Sequence, residues 1–208
     1  LSDMQSRKLI YRIQGGGTYI GESAKESPAQ VSFIPVIIRQ ENISNRFIEV
    51  IQGAENYLTN NKFYTTVHSP SSPANEREVI NNLIRDEVPA LIVVPCAVGD
   101  NEDFYLDIQK KGVPIVFIDT LPGEFQGNLV TSDNFRGGYT AVKHLIQNGY
   151  RRPVFMAPDV DYNSTTVRGR FQGYQYALKE SGINISNDYL SLFRYNDWKS
   201  LEEVLVNM

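Results

Sequence analysis

The sequence predicts an α/β protein built on parallel sheets and preceded by a short antiparallel hairpin, and three observations predict it. From residue 31 onward, short apolar runs alternate with amphipathic stretches of about 12 to 18 residues, the pattern left by repeated βα units. Ahead of them, Leu9, Tyr11 and Ile13 alternate with Ile10, Arg12 and Gln14. Gly15, Gly16 and Gly17 break that run, and Thr18, Tyr19 and Ile20 resume it, so two strands are expected around a glycine turn. Between the two patterns, residues 22–30 are small, polar and aperiodic, as a linker should be.

The expected strands are the apolar runs 31–38, 63–68, 90–95, 114–118 and 153–157. Pro35 sits inside the first, where a central strand would lose a ladder donor, so that strand is expected to start late or to carry an irregularity at the proline. Helices are expected between the runs. Phe47, Val50, Ile51, Ala54 and Leu58 fall at helical spacing, as do Val79, Ile80, Leu83 and Ile84, and less cleanly Phe104, Leu106 and Ile108. The series continues over 133–147, 165–179 and 201–206.

With 208 residues, 41% of them hydrophobic and 21% charged, the composition is that of a soluble globular protein of one large or two small domains. Arg7, Lys8 and Arg12 against Asp3 give residues 1–20 a charge of +2, leaving −6 for the remainder of a chain whose net charge is −4. The basic end suits a polyanion and the acidic remainder does not. Cys96 is the one cysteine, set in an apolar run, and is expected to be a buried free thiol; with His68 and His144 it makes no metal spacing. Both histidines lie inside expected regular elements without an acid and nucleophile nearby, and read as structural. Asp100, Glu102, Asp103 and Asp107 read as the solvated acidic face and N-terminus of a helix. No catalytic constellation, metal site or cofactor is expected, and Gly15–Gly17 is not followed by the Lys-Ser/Thr of a phosphate loop. With no long apolar span and no signal-peptide core, the protein is placed in the cytoplasm and off the membrane.

Two resemblances add to this reading. Residues 9–20, LIYRIQGGGTYI, resemble the wing of a GntR-type winged helix-turn-helix. Further on, QGAE at 52–55, ALIVVP at 90–95, GVPIVFID at 112–119, VTSDNFRGGY at 130–139, HLIQNGYRR at 144–152 and RGRFQGYQYAL at 168–178 together resemble the effector-binding domain of the LacI/GalR family. A wing followed by such a sensor is similar to the arabinose-repressor-like group of GntR/LacI hybrid regulators. The resemblance implies two α/β lobes of the type I periplasmic-binding-protein kind, with the ligand between them outside the carboxyl ends of the strands. It divides the chain into a wing remnant over 1–21, a linker over 22–30, a first lobe over 31–149 and an incomplete second lobe over 150–208. Measured against it the chain is expected to be a fragment, since only eight residues precede Leu9 and the second lobe stops at Met208.

What the resemblance implies for function is a ligand-controlled regulator, a repressor by preference. Its effector would be a small sugar such as arabinose or another pentose, or a charged sugar derivative. The DNA partner would be an operator reached through a complete winged helix, and the assembly a homodimer. The competing expectation is a sugar-binding transport protein of the same fold, against which the basic hairpin argues. In the resemblance, Asp119 and Thr120 match strand-end positions that hydrogen-bond the ligand, and Ser132 matches a polar contact at the next strand end. A carboxylate suits vicinal hydroxyls and a guanidinium offers a fixed fork of donors. Arg168 and Arg170 diverge by about 200° on a helix, so only one faces the cleft; the family's Arg-x-x-Gly pattern selects Arg170, with Gly173 allowing close packing. Ser44, Arg46 and Phe47 open the first helix at a ligand-contacting place, where Arg46 departs from the usual apolar residue and either pairs with a ligand acid or swings to solvent. Ser72, before the second helix, is a weaker candidate, and Asp133 is expected to cap its helix. For DNA, the wing resemblance points to Gln14, Gly15, Gly16, Gly17 and Thr18 at the tip, with Lys8 and Arg12 adding charge. Without a recognition helix the chain by itself is expected not to bind an operator specifically.

Overall fold

A computed structural model of the chain describes residues 4, 10–13, 17–20, 31–39, 45–96, 99, 101–159, 162–184, 190–194, 197, 199 and 202, with the side chains at 10, 12, 13, 20, 45 and 46 outside that description. The hairpin is present as β1 (Ile10–Ile13) and β2 (Gly17–Ile20), antiparallel, with Tyr11 directly opposite Tyr19 and their rings stacked at 5.6 Å. Cross-strand aromatic pairs of this kind fix the register of a two-stranded ribbon.

Next comes a sheet of β3 (Ser32–Ile38), β4 (Phe63–His68), β5 (Leu91–Val94), β6 (Ile115–Ile118) and β7 (Asn128–Val130), in the order β4-β3-β5-β6-β7 with every neighbouring pair parallel. Helices α1 (Asn45–Asn60), α2 (Pro73–Arg85) and α3 (Glu102–Lys110) connect successive strands. Alternation along the strands sorts their side chains between two faces. Ile37, Leu91, Val93, Ile115 and Phe117 point to one, where Ile80 of α2 and Phe104, Tyr105 and Ile108 of α3 close over them with Phe125. Ile38, Val94 and Ile118 belong to the other, against Phe47 and Ile51 of α1. Helices on both faces are what a parallel sheet requires, because its strands have no wet side.

β3 does not start late. It runs through Pro35, which lies opposite Thr66 of β4, while pairing with β5 begins only at Val36. The proline therefore occupies a stretch with a neighbour on one side, the edge-like setting in which a missing donor is tolerated.

A second unit consists of α4 (Asn134–Gln147), α5 (Thr165–Glu180) and the parallel pair β8 (Phe155–Pro158) and β9 (Leu190–Phe193). Its core is Val142 of α4 with Tyr174, Ala177 and Leu178 of α5, joined by Tyr139, Ile146, Phe155 and Phe171. The Tyr174 hydroxyl donates to the Pro153 carbonyl at 3.0 Å. The two helices cross with their backbones touching. A methyl group added at Gly138 would overlap the Arg170 carbonyl, and one added at Gly173 would overlap the Phe135 carbonyl. The division expected at residue 149 groups α4 with the first sheet, whereas its packing groups it with α5. Periodicity showed that the helix has an apolar face, but spacing along one chain does not say which core that face joins. Strands β7 and β9 were not foreseen, and the helix expected over 201–206 lies outside the described residues apart from Glu202.

Candidate functional site

The carboxyl ends of three neighbouring strands form one edge. Their last residues, Ile38, Val94 and Ile118, make an apolar plate with Phe47 from the first turn of α1. Polar groups follow directly: half-buried Arg39 after β3, the buried Cys96 after β5, and Asp119 and Thr120 after β6.

Asp119 holds a backbone conformation that few non-glycine residues adopt, with φ +72°. The Thr120 amide donates back to the Ile118 carbonyl at 2.9 Å, closing a three-residue turn around it. Two further bonds keep the turn in place. The Asp119 amide donates to the Val130 carbonyl at 2.9 Å, and its carbonyl accepts from the Thr131 hydroxyl at 2.8 Å. Such a conformation costs on the order of 1–3 kcal/mol and persists only where the surroundings impose it.

From this turn hydrogen bonds lead into the second unit. Asn134, the first residue of α4, donates from Nδ2 to the Thr131 hydroxyl at 3.1 Å and to the Ser132 carbonyl at 3.0 Å. Asp133 caps α4 as expected, its Oδ1 accepting from the Arg136 amide at 2.9 Å. At the start of α5, the Thr165 hydroxyl lies 2.9 Å from the Thr120 hydroxyl and accepts from the Leu121 amide at 3.3 Å. Arg168 donates to Glu124 at 2.8 Å in an exposed ion pair.

The structure thus brings Asp119, Thr120 and Ser132 to one edge, Ser132 exposed and Thr120 engaged with Thr165. Arg170 stands exposed in the second turn of α5, on a different side from the ion-paired Arg168. Gly173 provides the close approach expected of it. Phe47 is 7% exposed and belongs to the apolar plate. Ser72 caps α2, its hydroxyl accepting from the Asn75 amide at 3.2 Å. Arg46 is in the first turn of α1 with its side chain outside the description, and Ser44 is outside the described residues, as are Lys8, Gln14, Gly15 and Gly16. Arg12 and Gly17 lie on the hairpin strands, and Thr18 is exposed there.

His68 pairs with Thr66 at 3.0 Å and exposed His144 with Asn148 at 3.4 Å, both local contacts. Among the described residues no group of three or more His, Cys, Asp or Glu could hold a metal ion, and no helix is long and apolar enough to cross a membrane. Asp107 of the acidic helix is exposed and pairs with Lys110 at 3.2 Å.

One buried charge was missed. Glu76, in the first turn of α2, is 0% exposed. Its Oε2 accepts the Cys96 amide at 2.8 Å, and its Oε1 accepts the Asn101 side-chain amide at 2.7 Å and the Tyr105 hydroxyl at 2.8 Å. Burial, and then the neighbouring carboxylate, push the Tyr105 hydroxyl far above the ordinary tyrosine range, so it remains a donor. The signal was in the sequence: Glu76 precedes Ile80 by four residues and Leu83 by seven, which puts it on the apolar stripe of its helix.

A parallel α/β sheet whose carboxyl edge carries polar side chains over an apolar plate, joined by a crossover to a second α/β unit, defines a two-lobed α/β protein of the kind whose strand ends form ligand crevices. The chain belongs to the periplasmic binding protein domain family, whose model matches residues 36–203. Its curated relatives include an arabinose metabolism transcriptional repressor of Halalkalibacterium halodurans, 25% identical over 98% of this chain and 56% of the relative. The chain therefore spans little more than half of that protein's length. Among solved structures, the transcription regulator CcpA of Lactococcus lactis superposes with a TM-score of 0.72 at 19% identity, over 86% of this chain and 65% of the other. The complex of the transcriptional regulator CelR with cellobiose superposes with a TM-score of 0.69 at 22% identity, over 84% and 55%.

Proposed function

We propose that this chain is the sensor part of a transcriptional regulator, a repressor, whose DNA binding is controlled by a small sugar or sugar-derived effector held at the edge of Asp119, and that it has no catalytic role. The observation that carries the reading is the strained turn at Asp119. It places a carboxylate at the carboxyl edge of the sheet and is tied through Thr131 to Asn134, the first residue of α4. A ligand that binds the turn better in one conformation biases the relation of the two lobes, and couplings of this kind are worth on the order of 1–3 kcal/mol. The names of the curated relatives, which include arabinose and PurR repressors, support the regulatory role and make a pentose the first effector to try.

The site comprises Asp119, Thr120, Ser132 and Arg170, with Phe47 in its apolar floor; Ser44, Arg46 and Ser72 are the further candidates that the sequence offers. The lobes divide at the crossover 131–133, because α4 shares its core with α5. The hairpin is the wing of a GntR-type domain, Arg12, Gly17 and Thr18 being its candidates for operator contact on the described strands, and the whole regulator works in the cytoplasm. It is a homodimer. Ile48 and Tyr57 on α1, with Tyr64 and Val67 on the edge strand β4, are exposed apolar side chains that a second copy would cover.

A thermal-shift panel of pentoses, hexoses, sugar acids and sugar phosphates on the full chain tests the effector. A binder at one hundred times its Kd adds roughly 2.7 kcal/mol, a rise in Tm of several degrees. That rise should vanish in Asp119→Ala. If no sugar raises the Tm, the sugar assignment fails while the fold stands.

A further inference from the structure

We infer that Glu76 is a positioning residue for the ligand edge: its buried carboxylate sets where the end of β5 and the start of α3 stand beside the Asp119 turn. The inference rests on the reading of that edge as a ligand site.

The three donors to Glu76 come from three separate places, which its carboxylate joins at one point. Cys96 donates through its backbone as the chain leaves β5, Asn101 from the N-cap of α3, and Tyr105 from the next turn of that helix. Asn101 also donates to the Pro73 carbonyl at 3.0 Å, which returns the network to the first turn of α2. An asparagine at an N-cap ordinarily turns its side chain onto its own helix; here it makes no such bond and faces Glu76 instead. The geometry therefore favours the link between elements over local capping.

A charge without solvent exposure is a poor means of gaining stability, since a well-packed apolar side chain often does as well or better. What an ionised carboxylate offers is direction. Its two oxygens accept several bonds along set lines, and each donor is fixed in angle as well as distance. The fixed groups are next to the site. β5 and β6 are hydrogen-bonded neighbours with Val93 opposite Phe117, and continuing that register past the strand ends sets Pro95 and Cys96 alongside Asp119 and Thr120. At a strand spacing of about 4.8 Å, a displacement of Cys96 changes the wall that a ligand at Asp119 meets.

The test compares Glu76→Gln with Ile80→Ala, a change one turn along α2 that opens the core without touching the network. In Glu76→Gln one acceptor oxygen becomes an N–H donor, so at least one of the three donors loses its partner. Exchange of the Cys96 amide, followed by NMR and expressed relative to the slowest-exchanging amides of the same variant, should speed up at least tenfold over wild type in Glu76→Gln and less than threefold in Ile80→Ala. The Kd for L-arabinose, measured by calorimetry on the full chain, should weaken at least tenfold in Glu76→Gln and stay within threefold in Ile80→Ala. Equal losses of affinity in the two variants, or exchange in Glu76→Gln unchanged both at the Cys96 amide and over the first turn of α3, would overturn the inference. If the wild type does not bind L-arabinose, the pentose reading fails, and the exchange comparison decides on the positioning role by itself. Should Glu76→Gln not fold, Asn101→Ala carries the test, with faster exchange over the first turn of α3 expected and unchanged exchange overturning it.

Discussion

Two neighbouring strands end on carboxylates held in opposite ways. At β5, Glu76 is sealed from solvent and meets three donors at 2.7 to 2.8 Å, all supplied by the protein. At β6, Asp119 is half-buried, and its backbone is held in a costly conformation by a threonine hydroxyl and a ladder bond. The first end is fixed by satisfaction, the second is kept in place against its own preference. A binding edge needs both, a wall that does not move and a part that a ligand can move.

Substitutions that unbalance the two ends should separate them. The largest effect is expected from Glu76→Ala, which takes the acceptor from the Cys96 amide, the Tyr105 hydroxyl and one of the two Asn101 N–H groups and opens a void, and should cost about 3–5 kcal/mol in urea unfolding. A loss under about 1 kcal/mol there would erase the contrast. Tyr105→Phe keeps the ring against Phe117, at 5.0 Å, and removes one charge-assisted bond, for a loss of about 1.5–2 kcal/mol. The same residue gives the wild type an alkaline limb. Its pKa is raised on folding, so its stabilising share is complete below the unfolded value near 10 and declines as pH rises past it. Stability measured from pH 9 upward should fall less steeply in Tyr105→Phe.

Asp119→Gly should act in the other direction. Relief of the positive φ should raise stability by about 0.5–1 kcal/mol while the thermal response to sugars is lost. A destabilised Asp119→Gly would mean that the turn carries no strain. The smallest change is expected from Thr131→Val, which deletes an exposed hydroxyl and should cost about 0.5–1 kcal/mol, read from the urea midpoint.

Much of the first sheet was legible because apolar runs and helical spacing are properties of a local stretch of chain. β7 escaped because a three-residue edge strand with Leu129 as its one half-buried side chain leaves no periodic trace. Pro35 misled for the opposite reason, its local rule being suspended where β3 lacks a neighbour on one side. Asp119 came from the resemblance of a motif, yet its φ could not, since nothing in the composition of an Ile-Asp-Thr step signals a left-handed residue. Glu76 was readable from the helical stripe, but a carboxylate is by default assigned to solvent, and its three donors are 20, 25 and 29 residues away.

The crossing of α4 and α5 has a mechanical consequence. At Gly138 and Gly173 the two backbones meet with no side chain between them, so nothing at the contact can compress or change rotamer. The pair forms a stiff lever with one end at Asn134, beside the Asp119 turn, and Arg170 riding on the contact itself. A tilt of α4 therefore meets the Arg170 backbone directly, with no side chain between them to absorb it.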